Sequence, residues 1–195
     1  MIAYKGLNAE MVASLGRGRK KLEPGIRYVE EQSKTMRCGW HCTEDPFACL
    51  TWFPLGQGNH YFQVEAGGSI DEDESERIAC TELTLLKELT LKELAGYGMM
   101  YMVEHPNRTG WERNQMQLCV AKERAEANKA GHIAIARGQY PMVCGKEGSI
   151  LGLILEPEPG NIIAAKLFVP NGQQSDHWYT LHKEGLEECD EKKTA

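Results

Sequence analysis

The sequence predicts an α+β protein with a mixed N-terminal unit, a helical middle and a β-rich C-terminal unit. Three observations predict it. Over residues 1–86, short runs of branched and aromatic residues alternate with Gly and Pro turns. Two capping boxes, Thr90–Glu93 and Thr109–Glu112, then open stretches with helical spacing or helix-favouring composition. After Gly131 the chain changes to small and branched residues broken by glycines, in the manner of short strands. The expected divisions are 1–86, a helical segment 87–131, a β-rich unit 132–190 and a charged tail 191–195.

A chain of 195 residues with 42% apolar and 26% charged content is long enough to bury a core and has the balance of a globular protein. A net charge of -6 argues against bulk nucleic-acid binding and against an anionic membrane surface. The apolar runs around Met99–Val103 and Ile150–Leu155 are far shorter than the ~18 residues of a membrane span. The N-terminal MIAYKGLNAEM lacks the layout of a signal peptide, so the expected location is cytoplasmic. Seven scattered cysteines with no export signal read as reduced thiols, mostly buried.

Taken in order, Ile2–Tyr4 starts a strand and Lys5–Asn8 reads as a turn. Gly16–Lys21 is a dense basic run that reads as a loop; Arg17 and Arg19 make it a candidate phosphate contact, and a solvated loop is the simpler reading. Ile26–Val29 is strand-like. Asp45-Pro46 has the chemistry of an N-cap followed by a first helical position, with Phe47, Leu50 and Phe53 near one face of a short helix. Tyr61–Ala66 alternates as a strand. Ser69–Glu76 is an acidic hairpin loop, and Glu76 stands where a calcium loop needs glycine. Arg77–Leu86 fits a strand, Leu91–Val103 a helix stopped by Pro106, and Trp111–Ala130 a second, largely exposed helix favoured by its Glu, Arg, Gln, Lys and Ala content. Ile133–Gly138, Ser149–Leu155 and Ile162–Val169 read as strands, and Trp178–Cys189 as a closing hairpin. Trp111, Trp178 and Tyr179 are candidates for an interaction surface, against the plainer reading that Trp178 caps the core.

Reactive side chains concentrate in Arg37–Leu50, where Cys38, His41 and Cys42 fall within five positions. Zinc needs four ligands, usually two spaced pairs, and no second pair follows. Catalysis by a cysteine needs a nearby base or helix N-terminus. The plainer reading is an interior strand, with Trp40 and Cys42 turned inward and His41 outward.

Three blocks in this order resemble a family encoded by phages, prophages and gut bacteria, to which no activity has been assigned. They are Tyr4-Lys5-Gly6, Cys38–Cys42 with Asp45-Pro46, and Tyr61–Ala66; Gly131–Ala136 and Trp178–Leu181 resemble the family's C-terminal part. The resemblance implies a phage-type accessory protein, in the host cytoplasm if phage-encoded. In that family small-residue repeats like β-roll rungs often precede the Ile-Ala-Ile-Ala block. Here Gln115–Lys129 is charged instead, which keeps the helix and leaves one or two rungs around Gly131–Ile154.

The leading functional expectation is a non-enzymatic module without a cofactor. It would bind a host protein or a small nucleotide-like ligand, or self-associate through its β-rich C-terminal unit. Tyr4, Trp40, Arg17 and Arg19 are its candidate ligand contacts. The alternative is an NAD-using enzyme, because the order of blocks is similar to that of ADP-ribosyltransferases. That similarity implies Lys5, His41 and Glu82 (or Glu65) nearest the chemistry. A zinc site at Cys38, His41 and Cys42 is the remaining alternative.

Overall fold

The computed structural model describes residues 1–15, 18–73 and 76–189. It corrects the predicted class: the protein is mostly β, with 51% of the described residues in strands and only 11% in helices. It divides into two compact units, Met1–Leu94 and the chain from Ala95 onward.

The first unit contains β1 (Ile2–Leu7), β2 (Val12–Leu15), β3 (Gly18–Lys21), β4 (Arg27–Val29), β5 (Trp40–Cys42), a short 3-10 helix (Pro46–Thr51), β6 (His60–Glu72) and β7 (Ile78–Glu88). Its main sheet is antiparallel in the order β1-β6-β7-β4, and β5 shares the outer edge of β7 with β4. Alternation explains the layering. Ala3 and Leu7 of β1, Phe62, Val64 and Ala66 of β6, and Leu83 and Leu85 of β7 turn to one core with Trp40 and Cys42.

The sheet curls. The β6–β7 ladder shifts register between Gln63 and Val64 and again between Gly67 and Ile70, and such bulges add twist and bend. At the far end the chain leaves β5, and Thr43 bridges Tyr4 of β1 through paired backbone bonds of 2.7 and 2.9 Å. The central cysteine-rich stretch therefore touches both edges of the sheet, β7 through Trp40–Cys42 and β1 through Thr43. Gly39 permits this approach with φ 84°; a Cβ there would lie 2.9 Å from the Cys80 carbonyl oxygen. Asp45 caps the 3-10 helix by accepting from the Phe47 amide at 2.9 Å.

Two local expectations need correction. The basic run is not wholly a loop, because Gly18–Lys21 pairs with Val12–Leu15 as a hairpin; Arg17 lies outside the described residues. The acidic segment begins as strand, since β6 runs on to Glu72. Asp71 there accepts from the Thr35 amide at 2.8 Å and its hydroxyl at 2.9 Å, and it pairs with Lys34 at 2.8 Å.

The second unit carries most of α1 (Leu91–Glu104), followed by β8 (Arg113–Gln115), β9 (Leu118–Ala127), β10 (Ile133–Gly145), β11 (Ile150–Leu155), β12 (Ala164–Phe168), β13 (Trp178–His182) and β14 (Gly185–Cys189). A reciprocal capping box opens α1: Thr90 Oγ1 accepts from the Glu93 amide at 3.2 Å, and the Glu93 carboxylate accepts from the Thr90 amide at 2.9 Å. The expected second helix over Trp111–Ala130 does not form. Its residues make β8 and β9 instead. Propensity is a weak prior that packing overrides. Leu118 and Val120 are buried on one side and Ala125 and Ala127 after the bend, with charged residues between them.

Successive strands here stack in parallel. Leu118, Ile133 and Ile150 occupy one register position, and only residues 128–132 and 146–149 connect the strands. Parallel neighbours ordinarily need a crossover of about a dozen residues. The strands avoid it by bending. Glu123 has φ 62°, the β9–β10 register breaks between Arg137 and Met142, and the limbs on both sides of the bend pair again. Each bent strand thus carries the chain around to the start of the next, as in a coil. The bend is pinned: the Glu123 carboxylate accepts from the amides of Gln139 and Tyr140, both at 2.9 Å.

One interior of this coil is filled by alanines such as Ala125, Ala134 and Ala136 packed with Leu151, Leu153 and Tyr179. On the opposite face Met99 of α1 sits so close to Gly152 that a Cβ would meet its sulfur at 2.5 Å and Ile135 Cγ1 at 2.9 Å. Arg137 is buried, gripped by both Glu156 oxygens at 2.7 and 2.6 Å, bonded to the Pro106 carbonyl at 2.5 Å and stacked over Trp111 at 4.9 Å. Trp178 and Tyr179 are buried rather than presented as a surface. No helix among the described residues is long and apolar enough to cross a membrane.

Gly152→Ala should destabilise the second unit by about 1–3 kcal/mol through overpacking against Met99. Urea unfolding with the midpoint compared to wild type checks this; an unchanged midpoint would show that Met99 moves freely.

Candidate functional site

In β1, Ala3, Lys5 and Leu7 fall on the buried face, because strand positions alternate. Lys5 therefore enters the interior where an apolar residue is the ordinary occupant. It is only 6% exposed. Its ammonium donates to the His41 carbonyl oxygen at 2.6 Å, across the seam where Thr43 bridges Tyr4. The surroundings are thiols: Cys42, Cys49 and Cys80 all act on its charge. Burial pushes the lysine below its ordinary value, and those three sulfurs only partly oppose the shift.

Next to this lysine is a cavity of about 400 Å³. Tyr4, Lys5 and Gly6 of β1 form one wall, and His41, Cys42 and Thr43 form another. Trp52 and Phe53, just past the 3-10 helix, add aromatic surface, and Arg37 and Arg77 add two guanidinium groups. The Arg77 guanidinium lies 4.7 Å over the Trp52 ring, as cation–π contacts do. Gly6 is required by closeness: a Cβ there would stand 2.5 Å from the Phe53 ring. Phe53 is fixed in turn by its carbonyl, which accepts from the Tyr61 hydroxyl at 2.7 Å.

His41 is half-buried, and its Nε2 accepts from the Met36 amide at 3.1 Å, which requires an unprotonated nitrogen. Burial first, and the Lys5 charge second, push this imidazole below its ordinary value, so it is neutral at pH 7. Two of the neighbouring thiols, Cys42 and Cys49, are held protonated, while the bond from Cys42 lowers Cys80. The Cys42 thiol donates to the Cys80 sulfur, and with burial this raises it well above the ordinary range. Burial pushes Cys49 up to about 12. Cys80 in turn donates to the Trp40 carbonyl at 3.4 Å.

The residues that form these contacts all belong to the first unit. Residues 1–96 match the model of a family described as a domain of unknown function (DUF7666). No curated protein and no solved structure matches the chain. The matched segment spans every residue that lines the cavity.

Of the residues singled out from the sequence, Tyr4, Lys5 and His41 meet at this cavity. Trp40 does not; it is buried in the core with its ring 5.5 Å from that of Tyr28, and Lys20 lies over both. Arg19 is exposed on β3 and is not among the lining residues. Glu82 stands elsewhere on β7, ion-paired to Arg27 at 2.5 Å, and Glu65 is exposed on β6. The ADP-ribosyltransferase-like trio is thus not assembled, because β7 carries Glu82 opposite Val29 and Gly67, away from the Lys5 wall.

The zinc set is not assembled either. Cys38 is held in a turn by paired bonds to Lys34 of 3.0 Å, while His41 and Cys42 alternate on β5. Among the described residues no three His, Cys, Asp or Glu side chains converge as metal ligands. Sequence reasoning missed Arg37, Trp52, Phe53 and Arg77. A cation at the head of the cysteine-rich stretch and an aromatic pair after its helix were visible, but nothing local aims them at Lys5.

Replacing Lys5 tests its burial. Because its folded value lies below the unfolded 10.5, the unfolded state binds more protons between those two values, so stability rises with pH in that window. The wild-type stability minus that of Lys5→Met should therefore be lowest at neutral pH and climb as pH approaches 10.5. At neutral pH Lys5→Met should match or exceed wild type, by up to about 4 kcal/mol. Urea titrations of both proteins along a pH series check the sign.

Proposed function

We propose that the first unit is a binding module for a small organic anion with a flat apolar body. One observation carries the reading: the cavity wall holds the buried Lys5 ammonium and the Arg37 and Arg77 guanidinium groups, with no carboxylate among the described lining residues. A buried cation without an anionic partner is costly, and a ligand that brings the missing charge recovers that cost. Trp52, Phe53 and Tyr4 supply the apolar walls that small-molecule sites use, and 400 Å³ lies toward the lower end of ligand-pocket volumes.

The same lining argues against the NAD-using alternative, which needs a carboxylate near a developing positive ribose. We place the module among phage-type accessory proteins, on the resemblance of its Tyr4-Lys5-Gly6, Cys38–Cys42 and Tyr61–Ala66 blocks. We also assign it to a reducing, cytoplasmic setting, which suits thiols kept as Cys42, Cys49 and Cys80 are.

The fluorescent aromatic sulfonate anilinonaphthalene sulfonate should bind the folded protein at one site and be displaced by benzoate but not by benzyl alcohol. Arg77→Gln should weaken benzoate by about tenfold, the size of one lost charge-assisted hydrogen bond. Equal displacement by the neutral alcohol would reject the anion reading.

A further inference from the structure

The cavity wall presents several nucleophilic side chains, and burial treats them in opposite ways. Desolvation disfavours whichever form is charged. For the Cys42 and Cys49 thiols the charged form is the reactive thiolate; the bond that Cys42 donates to Cys80, then burial, silences Cys42, and burial silences Cys49. For Lys5 the charged form is the unreactive ammonium, so the same burial favours the reactive amine. Geometry agrees with this. Among the described residues Lys5 Nζ has one acceptor, the His41 carbonyl at 2.6 Å, and Lys5 is one of the residues that line the cavity. A bond to one backbone carbonyl holds an amine in place while leaving its lone pair unused.

We propose that Lys5 captures a small carbonyl compound bearing a carboxylate, of the α-keto acid or carboxy-aldehyde class, as a reversible imine. This rests on the anion-pocket reading and names its ligand class. The carboxylate pairs with the guanidinium groups of Arg77 and Arg37 while the carbonyl carbon faces Lys5. The amine nitrogen attacks that carbon and the carbonyl π pair moves to oxygen. The oxygen takes the proton that nitrogen releases, giving a carbinolamine. Loss of the hydroxyl with the remaining N–H proton expels water and leaves the C=N bond. No oxidant or further reactant enters, and hydrolysis returns the free amine. The groups that face Lys5 and set its protonation are His41 and Cys42 on the segment around β5, Cys49 on the 3-10 helix and Cys80 on β7.

The probe is 4-formylbenzoate, with cyanoborohydride to reduce the imine to a stable secondary amine, followed by peptide mapping of the full chain. Lys5 should be labelled several-fold more than the exposed Lys20 and Lys87, since burial lowers its pKa and so raises its neutral fraction. Saturating benzoate should remove the Lys5 label and leave the surface labels unchanged. Lys5→Arg, which keeps the charge and cannot form an imine, should lose only that label. The proposal is overturned if Lys5 is labelled no more than Lys20, or if benzoate leaves its label intact. If benzoate displaces the sulfonate probe yet Lys5 stays unlabelled, the imine fails while the anion pocket stands. If benzaldehyde labels Lys5 as well as formylbenzoate does, the lysine is a nucleophile but the carboxylate requirement and the pocket reading both fail. The wild-type mapping and the benzoate competition need no variant, so a misfolded Lys5→Arg would not blunt the test.

Discussion

A lysine inside a closing sheet is the constraint on which the first unit depends. Its ammonium bonds the His41 carbonyl across the seam where Tyr4 and Thr43 exchange backbone bonds. The seam joins strands from opposite ends of the sheet, so it forms only because β6 and β7 are bulged enough to bring those edges round. An interior charge without a carboxylate partner would ordinarily be replaced by an apolar side chain of similar volume, because desolvation outweighs a single neutral hydrogen bond. Its presence beside a cavity is the observation on which the proposal of an anion-binding module rests.

The thiols around that charge make sense in the same terms. Cys42 and Cys49 behave as small buried hydrophobes whose sulfurs are polarisable enough to sit near an ammonium; the bond to Cys80 and burial keep Cys42 protonated, and burial keeps Cys49 so. The cysteine-rich stretch, which looks like a ligand set when written out, is instead a structural joint. Cys38 lies in its turn, Trp40 and Cys42 fill the core, and the main chain at His41 and Thr43 makes the seam.

The second unit solves a different problem. Parallel strands need a way back to their starting end, and here the bend at Glu123 and the register break in β10 provide it without a long crossover. Small side chains such as Ala125, Ala134 and Ala136 allow the layers to approach. At the bend the Glu123 carboxylate takes the amides of Gln139 and Tyr140. A bend that would otherwise leave two donors unpaired becomes a fixed corner.

The sequence by itself determined what depends on neighbours within a few positions. Asp45 with Pro46 set the 3-10 helix, Thr90 with Glu93 set the start of α1, and alternation marked Phe62, Val64 and Ala66 as one face. It also supplied the reactive residue types, Lys5 and His41, without their geometry. Tertiary structure alone decided the rest. Trp111–Ala130 favours helix locally, yet its Leu118 and Val120 gain more by stacking on Ile133 and Ile135 in a parallel layer, so it became strand. Glu82 was drawn to Arg27 by the pairing of β4 with β7, while Arg77 and Trp52 were brought to the Lys5 wall from distant parts of the chain. Local preference acts through each residue's own backbone and near neighbours; register and edge closure are set by partners tens of residues away, which no short pattern encodes.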